Sequence, residues 1–222
     1  MIGIVGGLSP EATAYYYRLF IEESRKRFPK YFYPEILIYS LNFKEFVEGS
    51  SEERKRLLVK ALKKLDEAGV KVGGIASNTP HMFFDELKKA VSFELVSIVE
   101  AVAEKAGKGK FLLLGTKKTM ESDFYQRAFE KYGGEIIVPE EEDREVVHRV
   151  IMEELVLGKF EKDKLLEVIK KYERFVDGVV LGCTELPLAI SQKDLNVELF
   201  DSAKIHVEKM LEVYVDKFIN RE

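Results

Sequence analysis

The sequence lacks the features that mark several classes of protein. It has no tryptophan and a single cysteine, Cys183, among 222 residues, so no disulfide can form within the chain. A reducing, cytoplasmic setting is therefore expected. Acidic residues outnumber basic ones by 39 to 35, and no basic stripe suits a phosphate backbone, so no nucleic-acid partner is expected. The apolar runs are strand-sized and no basic segment precedes the first, so we expect neither a membrane span nor an export signal.

Histidine is also scarce, with three residues, His81, His148 and His206. No pair of histidine, cysteine or carboxylate residues has the spacing of a metal site, and the Gly6-Gly7 pair lacks the spacing of a dinucleotide or phosphate loop. We expect no metal. Two glutamines and four asparagines stand beside a charged fraction of 33%, a bias typical of proteins that work at high temperature. We therefore expect a thermophilic protein.

Short apolar runs rich in β-branched residues alternate with longer amphipathic segments. The runs predict strands at 2–5, 36–41, 72–76, 110–114, 135–138, 178–181 and 197–200. Helices are predicted between them, at 10–28, 52–68, 80–90, 97–106, 120–132, 141–157, 162–175 and 202–218. This alternation predicts an α/β fold with mainly parallel sheets covered on both faces.

A faint internal repeat divides the chain into two similar halves. Gly6 and Gly115 each follow an apolar strand, and Ser77 and Cys183 occupy matching turns 71 and 68 residues further on. We expect an N-terminal α/β domain at 1–100, completed by a C-terminal helix at 205–222, and a second α/β domain at 101–204. Ligands bind at the carboxyl ends of parallel strands, so two pseudo-symmetric domains would place the active site in an interdomain cleft.

Hydroxyl residues stand where helix N-caps belong in several of these turns. Ser9 and Thr79 each precede a proline, and Thr184 stands three residues before Pro187. Proline is favoured in the first helical turn, and the amides at a helix start attract a carboxylate or phosphate. The turns therefore indicate an anionic ligand, although α/β proteins in general cap their helices in this way.

Cys183 comes directly after an apolar strand, at the predicted start of a helix. A lone thiol in such a place is commonly a small buried hydrophobe. A helix dipole would instead stabilise the thiolate and lower the thiol pKa below about 8.5, which favours a catalytic role. His81 and His206 are either core histidines or proton-tuning neighbours of the site, and His148 is expected to face solvent.

Five segments together resemble the aspartate/glutamate racemase family. They are GGLSPEAT at 6–13, SNTPH at 77–81, LGTKKTM at 114–120 with Tyr125, GCTEL at 182–186 and DSAKIH at 201–206. They occur in order over nearly the whole chain. The resemblance implies a racemase that uses no cofactor, pyridoxal phosphate (PLP) included, and has two pseudo-symmetric α/β domains with the substrate between them. It also implies a homodimer. The aromatic stretch from Tyr15 to Tyr33 is either a candidate interface or ordinary core and surface packing.

The resemblance also implies the chemistry. One residue takes the α-proton of an amino acid, and a second returns a proton on the opposite face. Members of the family usually use two cysteines. Here Cys183 is one, while Ser77 occupies the other position, as in a subgroup with a hydroxyl residue there, and we expect the L enantiomer to react faster. The substrate-binding residues implied are Asn78, Thr79, Thr184 and Glu185, with Ser9, Thr116 and Thr119 as candidates for the side-chain carboxylate.

Two other functions fit the same residues. Relatives with one cysteine resemble decarboxylases of malonates, in which a thiol protonates an enediolate, or maleate isomerases, in which cysteine adds to an alkene. The Ser77 hydroxyl is a far weaker acid than a thiol and therefore a poor base at neutral pH. The second alternative is therefore a protein that binds an amino acid or dicarboxylate without turnover. Aspartate and glutamate are the first substrates to test.

Overall fold

The computed structural model of the chain describes residues 1–159 and 161–219. The described residues form two compact units. The first is Met1–Ile98 together with the chain from His206 onward, and the second is Val99–Ile205.

The first unit contains a four-stranded parallel sheet in the order β2-β1-β3-β4. Its strands are β1 (Ile2–Gly6), β2 (Ile36–Ser40), β3 (Val72–Ile75) and β4 (Glu94–Leu95). Its helices are α1 (Pro10–Arg27), α2 (Phe43–Glu48), α3 (Ser51–Glu67) and α4 (Phe84–Lys89), with a 3-10 helix at Thr79–Phe83. Ile2 of β1 pairs with Ile36 on one side and with Val72 on the other, so β1 is a central strand.

Local sequence explains why these elements form. All five residues of β1 are buried, as expected for a strand of a parallel sheet that is covered on both faces. Helix α3 begins at a capping box, in which Ser50 and Glu53 each accept the other's backbone N–H. Its buried residues recur every three or four positions and pack beside the sheet: Leu58, Ala61, Leu62 and Leu65. Burying each such leucine stabilises the fold by roughly 1.5–3 kcal/mol.

The second unit repeats the same architecture, with a parallel sheet in the order β6-β5-β7-β8. Its strands are β5 (Gly109–Leu114), β6 (Gly134–Ile137), β7 (Gly178–Leu181) and β8 (Glu198–Asp201). Its helices include α6 (Lys117–Glu121), α7 (Phe124–Lys131), α8 (Glu141–Glu153) and α9 (Asp163–Tyr172), with 3-10 helices at Leu155–Leu157, Glu173–Phe175, Leu186–Leu188 and Gln192–Asp194. The two sheets have equivalent strand orders, which confirms the predicted α/β fold with two similar parallel-sheet domains.

Two further helices contain the points where the chain passes from one unit to the other. Helix α5 (Ile98–Ala106) starts with the last residue of the first unit, and α10 (Ser202–Phe218) enters the first unit at His206. Within 1–159 and 161–219, no helix combines the length and the apolar character needed to cross a bilayer.

Several local predictions need correction. The short elements α2 and β4 were not predicted, and the helix predicted at 120–132 is two helices, because Ser122 has an extended backbone between α6 and α7. The helix predicted at 80–90 starts as a 3-10 helix and becomes α4. The helix expected directly after Cys183 is only the three-residue 3-10 helix Leu186–Leu188.

Candidate active site

The candidate residues follow equivalent strands of the two sheets. In the first unit, β1 and β3 are neighbouring parallel strands, so the turns that follow them lie at the same edge of the sheet. The first turn carries Ser9 and the second carries Ser77. In the second unit the turns after β5 and β7 have the same relationship, and they carry Thr116 and Cys183. Ser77 and Cys183 each stand two residues beyond the end of their strand.

The turn after β1 is built around a glycine. Gly7 has φ +76°, and a Cβ atom there would lie 2.2 Å from the Leu41 carbonyl oxygen. Thr13 fixes the turn, since its hydroxyl accepts the Gly7 N–H at 2.8 Å and donates to the Ser9 carbonyl at 2.8 Å. The Ser9 hydroxyl oxygen accepts the Ala12 N–H at 3.3 Å, so Ser9 caps α1 as predicted.

The turn after β3 carries Ser77, Asn78 and Thr79. The Ser77 N–H donates to the Ile75 carbonyl at 2.8 Å, which makes the turn tight. Ser77 and Thr79 are half-buried, whereas Asn78 is buried. Asn78, not Thr79, precedes the 3-10 helix, and its side chain makes no capping hydrogen bond. The prediction that Thr79 is an N-cap is therefore wrong, because Thr79 is already the first residue of the helix.

His81 binds the backbone on both sides of its ring. Its Nε2 lies 3.2 Å from the Ile98 amide, which can only donate, so the ring proton is on Nδ1 and is donated to the Ser77 carbonyl at 3.1 Å. The ring also stacks on Phe84, with centroids 5.2 Å apart. Burial, followed by the neighbouring His206, lowers the pKa of His81 to about 3, so the ring is neutral. Its contact with Ser77 is to the carbonyl oxygen.

His206 is held in a similar way. Its Nε2 donates to the Val96 carbonyl at 3.0 Å, and its Nδ1 accepts from the Tyr16 hydroxyl at 3.0 Å. Burial lowers the pKa of His206 to about 4. Gly74 makes room for the ring, because a Cβ atom there would lie 2.6 Å from His206 Cε1. Both histidines therefore have a structural role. His81 connects the β3 turn to Ile98, and His206 connects α10 to Val96.

The turn after β5 carries the hydroxyl pair Thr116 and Thr119. The Thr116 Oγ1 atom accepts the Thr119 N–H at 3.3 Å and lies 3.0 Å from Thr119 Oγ1, so Thr116 caps α6. The Lys117 N–H donates to His148 Nδ1 at 3.3 Å, and the Lys117 side chain pairs with Glu145. His148 is half-buried and supports this turn, so the prediction that it simply faces solvent is wrong.

Cys183 directly contacts a buried carboxylate. Its Sγ donates to Glu185 Oε2 at 2.9 Å, and the Thr184 hydroxyl donates to the same oxygen at 3.2 Å. Burial, followed by the Glu185 carboxylate, raises the pKa of Cys183 well above its ordinary value, although the backbone N–H groups of Glu185 and Thr184 act in the opposite direction. The prediction that a helix dipole lowers this pKa is wrong, because only a short 3-10 helix follows and burial dominates.

Tyr125 and Ser202 are fully buried, and Tyr125 lies close enough to Cys183 for the two side chains to interact electrostatically. The Ser202 hydroxyl donates to the Leu181 carbonyl at 2.6 Å, and the Tyr125 hydroxyl is hydrogen-bonded to Ser202. Burial raises the pKa of Tyr125, and a charge on Cys183 would raise it further, so Tyr125 is neutral. The part of Ser202 was not predicted, since no local pattern distinguishes it from an ordinary residue at a helix start. In the described ranges, no cluster of three or more His, Cys, Asp or Glu residues could hold a metal.

Comparisons with known proteins agree with this organisation. A family described as Asp/Glu/hydantoin racemase matches residues 5–210. The crystal structure of an aspartate racemase homologue from Pyrococcus horikoshii OT3 is 49% identical, with a TM-score of 0.83 over 96% of this chain and 97% of that one. The crystal structure of a candidate Asp/Glu racemase from Yersinia pestis is 35% identical, with a TM-score of 0.85 over 96% of this chain and 98% of that one.

The similarity also extends to a second bacterial protein. The broad specificity amino-acid racemase RacX from Bacillus subtilis (strain 168) is 22% identical over 97% of this chain and 98% of that protein. Since the family match covers most of the chain, the chain belongs to the Asp/Glu/hydantoin racemase family.

Proposed function

We propose that the protein is a PLP-independent racemase of an acidic amino acid, aspartate or glutamate. In this proposal Cys183 takes the α-proton, and Ser77 acts on the opposite face of the α-carbon. The observation that carries it is that Ser77 and Cys183 stand at the same position after equivalent strands of two similar sheets, in a chain of the racemase family. The names of the Pyrococcus horikoshii and Bacillus subtilis proteins support the reaction class.

Proton removal from an amino acid leaves a carbanion beside the α-carboxylate. The site must therefore offer hydrogen-bond donors that strengthen as negative charge develops. We assign this part to Asn78 and Thr79 in the β3 turn and to Thr184 in the β7 turn. We further assign the substrate's side-chain carboxylate to the hydroxyl residues of the turns after β1 and β5: Ser9, Thr116 and Thr119.

The hydroxyl at position 77 makes the proposed reaction unequal in its two directions. A serine hydroxyl is a far weaker acid than a thiol, so Ser77 is a poor base at neutral pH. Cys183 then abstracts the proton from one enantiomer, which we take to be the L form, while Ser77 or water protonates the other face. Turnover of the D enantiomer is slower, and the equilibrium constant is unchanged because a catalyst does not alter it.

One observation favours a second candidate function. Burial and Glu185 raise the pKa of Cys183, which keeps the thiol protonated at neutral pH. A protonated thiol suits a decarboxylase of malonates, in which the thiol donates its proton to an enediolate. Release of carbon dioxide from malonates, with no exchange of amino-acid α-protons, would favour this function over the racemase.

The racemase proposal is tested by solvent exchange. The protein is incubated with L- or D-aspartate and L- or D-glutamate in deuterated buffer, and the α-proton is followed by NMR. We expect exchange with at least one of these four substrates and its loss in Cys183→Ala. Full activity in Cys183→Ala would rule out the assigned base, and thermal stabilisation by these ligands without exchange would identify a binding protein instead.

We also propose that the protein is a homodimer that works in the cytoplasm at high temperature. The aromatic residues Tyr17 and Tyr33, 50% and 46% exposed, border a groove of about 400 Å³ between α1 and residues 33–36, which is a candidate interface. Light scattering on the purified protein tests the dimer, and a monomeric mass would overturn it. Activity retained after heating tests the proposed working temperature.

A further inference from the structure

Glu185 is a buried carboxylate that accepts a hydrogen bond from the candidate base, Cys183. Glu185 is 3% exposed and Cys183 is 8% exposed. A carboxylate can only accept, so the 2.9 Å contact places the thiol proton between Sγ and Oε2. The Thr184 hydroxyl donates to the same oxygen at 3.2 Å. A negative charge held against the thiol is also poorly suited to binding a substrate carboxylate.

We propose that Glu185 is a catalytic residue that accepts the proton of the Cys183 thiol, an inference that rests on the racemase function proposed above. The S–H bond breaks and an O–H bond forms on Oε2, which leaves a thiolate beside a neutral carboxylic acid. The pair carries one negative charge before and after the transfer. The buried site therefore never has to hold a thiolate and a carboxylate together, which the low local dielectric would disfavour.

The rest of the cycle balances without another reagent. The thiolate takes the α-proton and becomes a thiol again, while Glu185 stays protonated and neutral near the new carbanion. The carbanion then takes a proton on its opposite face from the Ser77 hydroxyl or from water. The alkoxide or hydroxide left by that step receives the Glu185 proton through solvent, which restores the starting state.

The surroundings of the thiol are consistent with this transfer. Burial and the ionised Glu185 carboxylate raise the pKa of Cys183, whereas the backbone N–H groups of Glu185 and Thr184 lower it. Transfer of the thiol proton to Glu185 removes the charge that opposes the thiolate and leaves the two N–H groups in place. Tyr125, whose pKa a charge on Cys183 would raise further, is buried and neutral. Glu185 is therefore the acidic group in the β7 turn that can exchange a proton with the sulfur over a single hydrogen bond.

The test uses the fact that Cys183 is the only cysteine. The rate of alkylation by iodoacetamide, read by intact mass, reports the thiolate fraction at each pH. With an internal proton acceptor, the wild-type rate is nearly flat around neutral pH. In Glu185→Gln the thiol must lose its proton to solvent, so the rate at pH 7 falls below that of the wild type and climbs about tenfold per pH unit.

The opposite result would overturn the proposal. If Glu185 only repels the thiolate, its removal makes the thiolate easier to form, and Glu185→Gln is alkylated faster than the wild type at pH 7. Ultraviolet absorbance of the thiolate across the same pH range, with Cys183→Ala as the blank, gives the same comparison without depending on reagent access.

A second arm measures the reaction. We expect Glu185→Gln to lose on the order of 10²-fold in the α-proton exchange rate, in kcat more than in KM, as for loss of a general base. Glu185→Asp, which keeps a carboxylate, restores part of the rate. Asp143→Asn is the matched control, since Asp143 is a buried carboxylate of the same unit whose partners are Lys171 and Tyr172. It should leave the exchange rate and the alkylation profile unchanged.

The two arms separate the two proposals. A flat wild-type alkylation profile that Glu185→Gln abolishes supports proton transfer to Glu185, even if none of the four amino acids exchanges. Exchange by the wild type that Glu185→Gln retains in full would leave the racemase standing and refute the part given to Glu185.

Discussion

The two buried histidines of the first unit should make its stability depend on pH. His81 and His206 have pKa values of about 3 and about 4 in the folded protein, against an ordinary value of 6.5. Because these values are lowered, the unfolded chain binds more protons than the folded protein below pH 6.5. Stability therefore rises with pH across the window from about 3 to 6.5 and is fully present above it.

The magnitude follows from the size of the shifts. Taking pKa values of about 3 and about 4, each histidine costs about 2 kcal/mol of unfolding free energy when the pH falls from 7 to 5. The pair together therefore costs about 4 kcal/mol, a large part of the stability of a typical domain. The cost is electrostatic and hydrogen-bonding in origin, since a charged ring would lose the lone pair that accepts from Ile98 or from Tyr16.

The assay is urea unfolding at pH 5 and pH 7 for the wild type and for the double variant His81→Gln with His206→Gln. The double variant is expected to be less stable at pH 7 but to lose about 4 kcal/mol less than the wild type on going to pH 5. His148→Gln is the matched control and should keep the wild-type pH dependence, because it leaves both buried rings in place. Equal losses in the wild type and the double variant would refute the reasoning, because the carboxylates shared by both would then account for the whole effect.

Two further substitutions test the turns. Ser77→Cys should raise the exchange rate of the slower enantiomer on the order of tenfold or more, measured by α-proton NMR, since a thiol is a better acid and base than a hydroxyl; an unchanged ratio between enantiomers would remove Ser77 from the mechanism. Gly7→Ala should lower the thermal midpoint more than Gly69→Ala. Both glycines have φ near +80°, so an alanine at either position adds about 1–2 kcal/mol of backbone strain. Only at Gly7 does the new Cβ atom also clash with the Leu41 carbonyl oxygen, 2.2 Å away. Equal shifts in the two variants would show that the Leu41 backbone moves aside freely.

The sequence predicts the strands and most helices because their signals are local. Buried parallel strands such as β1 and β7 read as short apolar runs, and the longer helices carry caps and regular apolar spacing. Elements without such signals escape prediction. Strand β4 has only two residues, and α2 has no buried residue that would give it an apolar period.

The environment of the candidate site is harder to predict, because it depends on contacts between distant segments. His206 binds the Val96 carbonyl across 110 residues of sequence, and His81 binds the Ile98 amide across 17. Nothing in the local pattern around either histidine indicates these partners. Cys183 and Glu185 are only two residues apart in sequence, but the sequence does not show that the carboxylate is buried and turned toward the sulfur.

The β3 and β7 turns occupy equivalent places in their sheets, yet their chemistry differs. In the β7 turn, an acceptor for the thiol proton lies 2.9 Å from the sulfur. In the β3 turn, the neighbouring histidine is not available as a base, because Nδ1 of His81 gives its proton to the Ser77 carbonyl and Nε2 already accepts from Ile98. In the proposed mechanism, Glu185 holds the thiol proton while Cys183 takes the α-proton of the substrate. His81 cannot activate the Ser77 hydroxyl in a similar way, because it has no free lone pair. The lack of a base beside Ser77 and the weak acidity of its hydroxyl both slow proton removal by Ser77. The preference for the enantiomer that reacts with Cys183 should therefore persist even when the pH is raised.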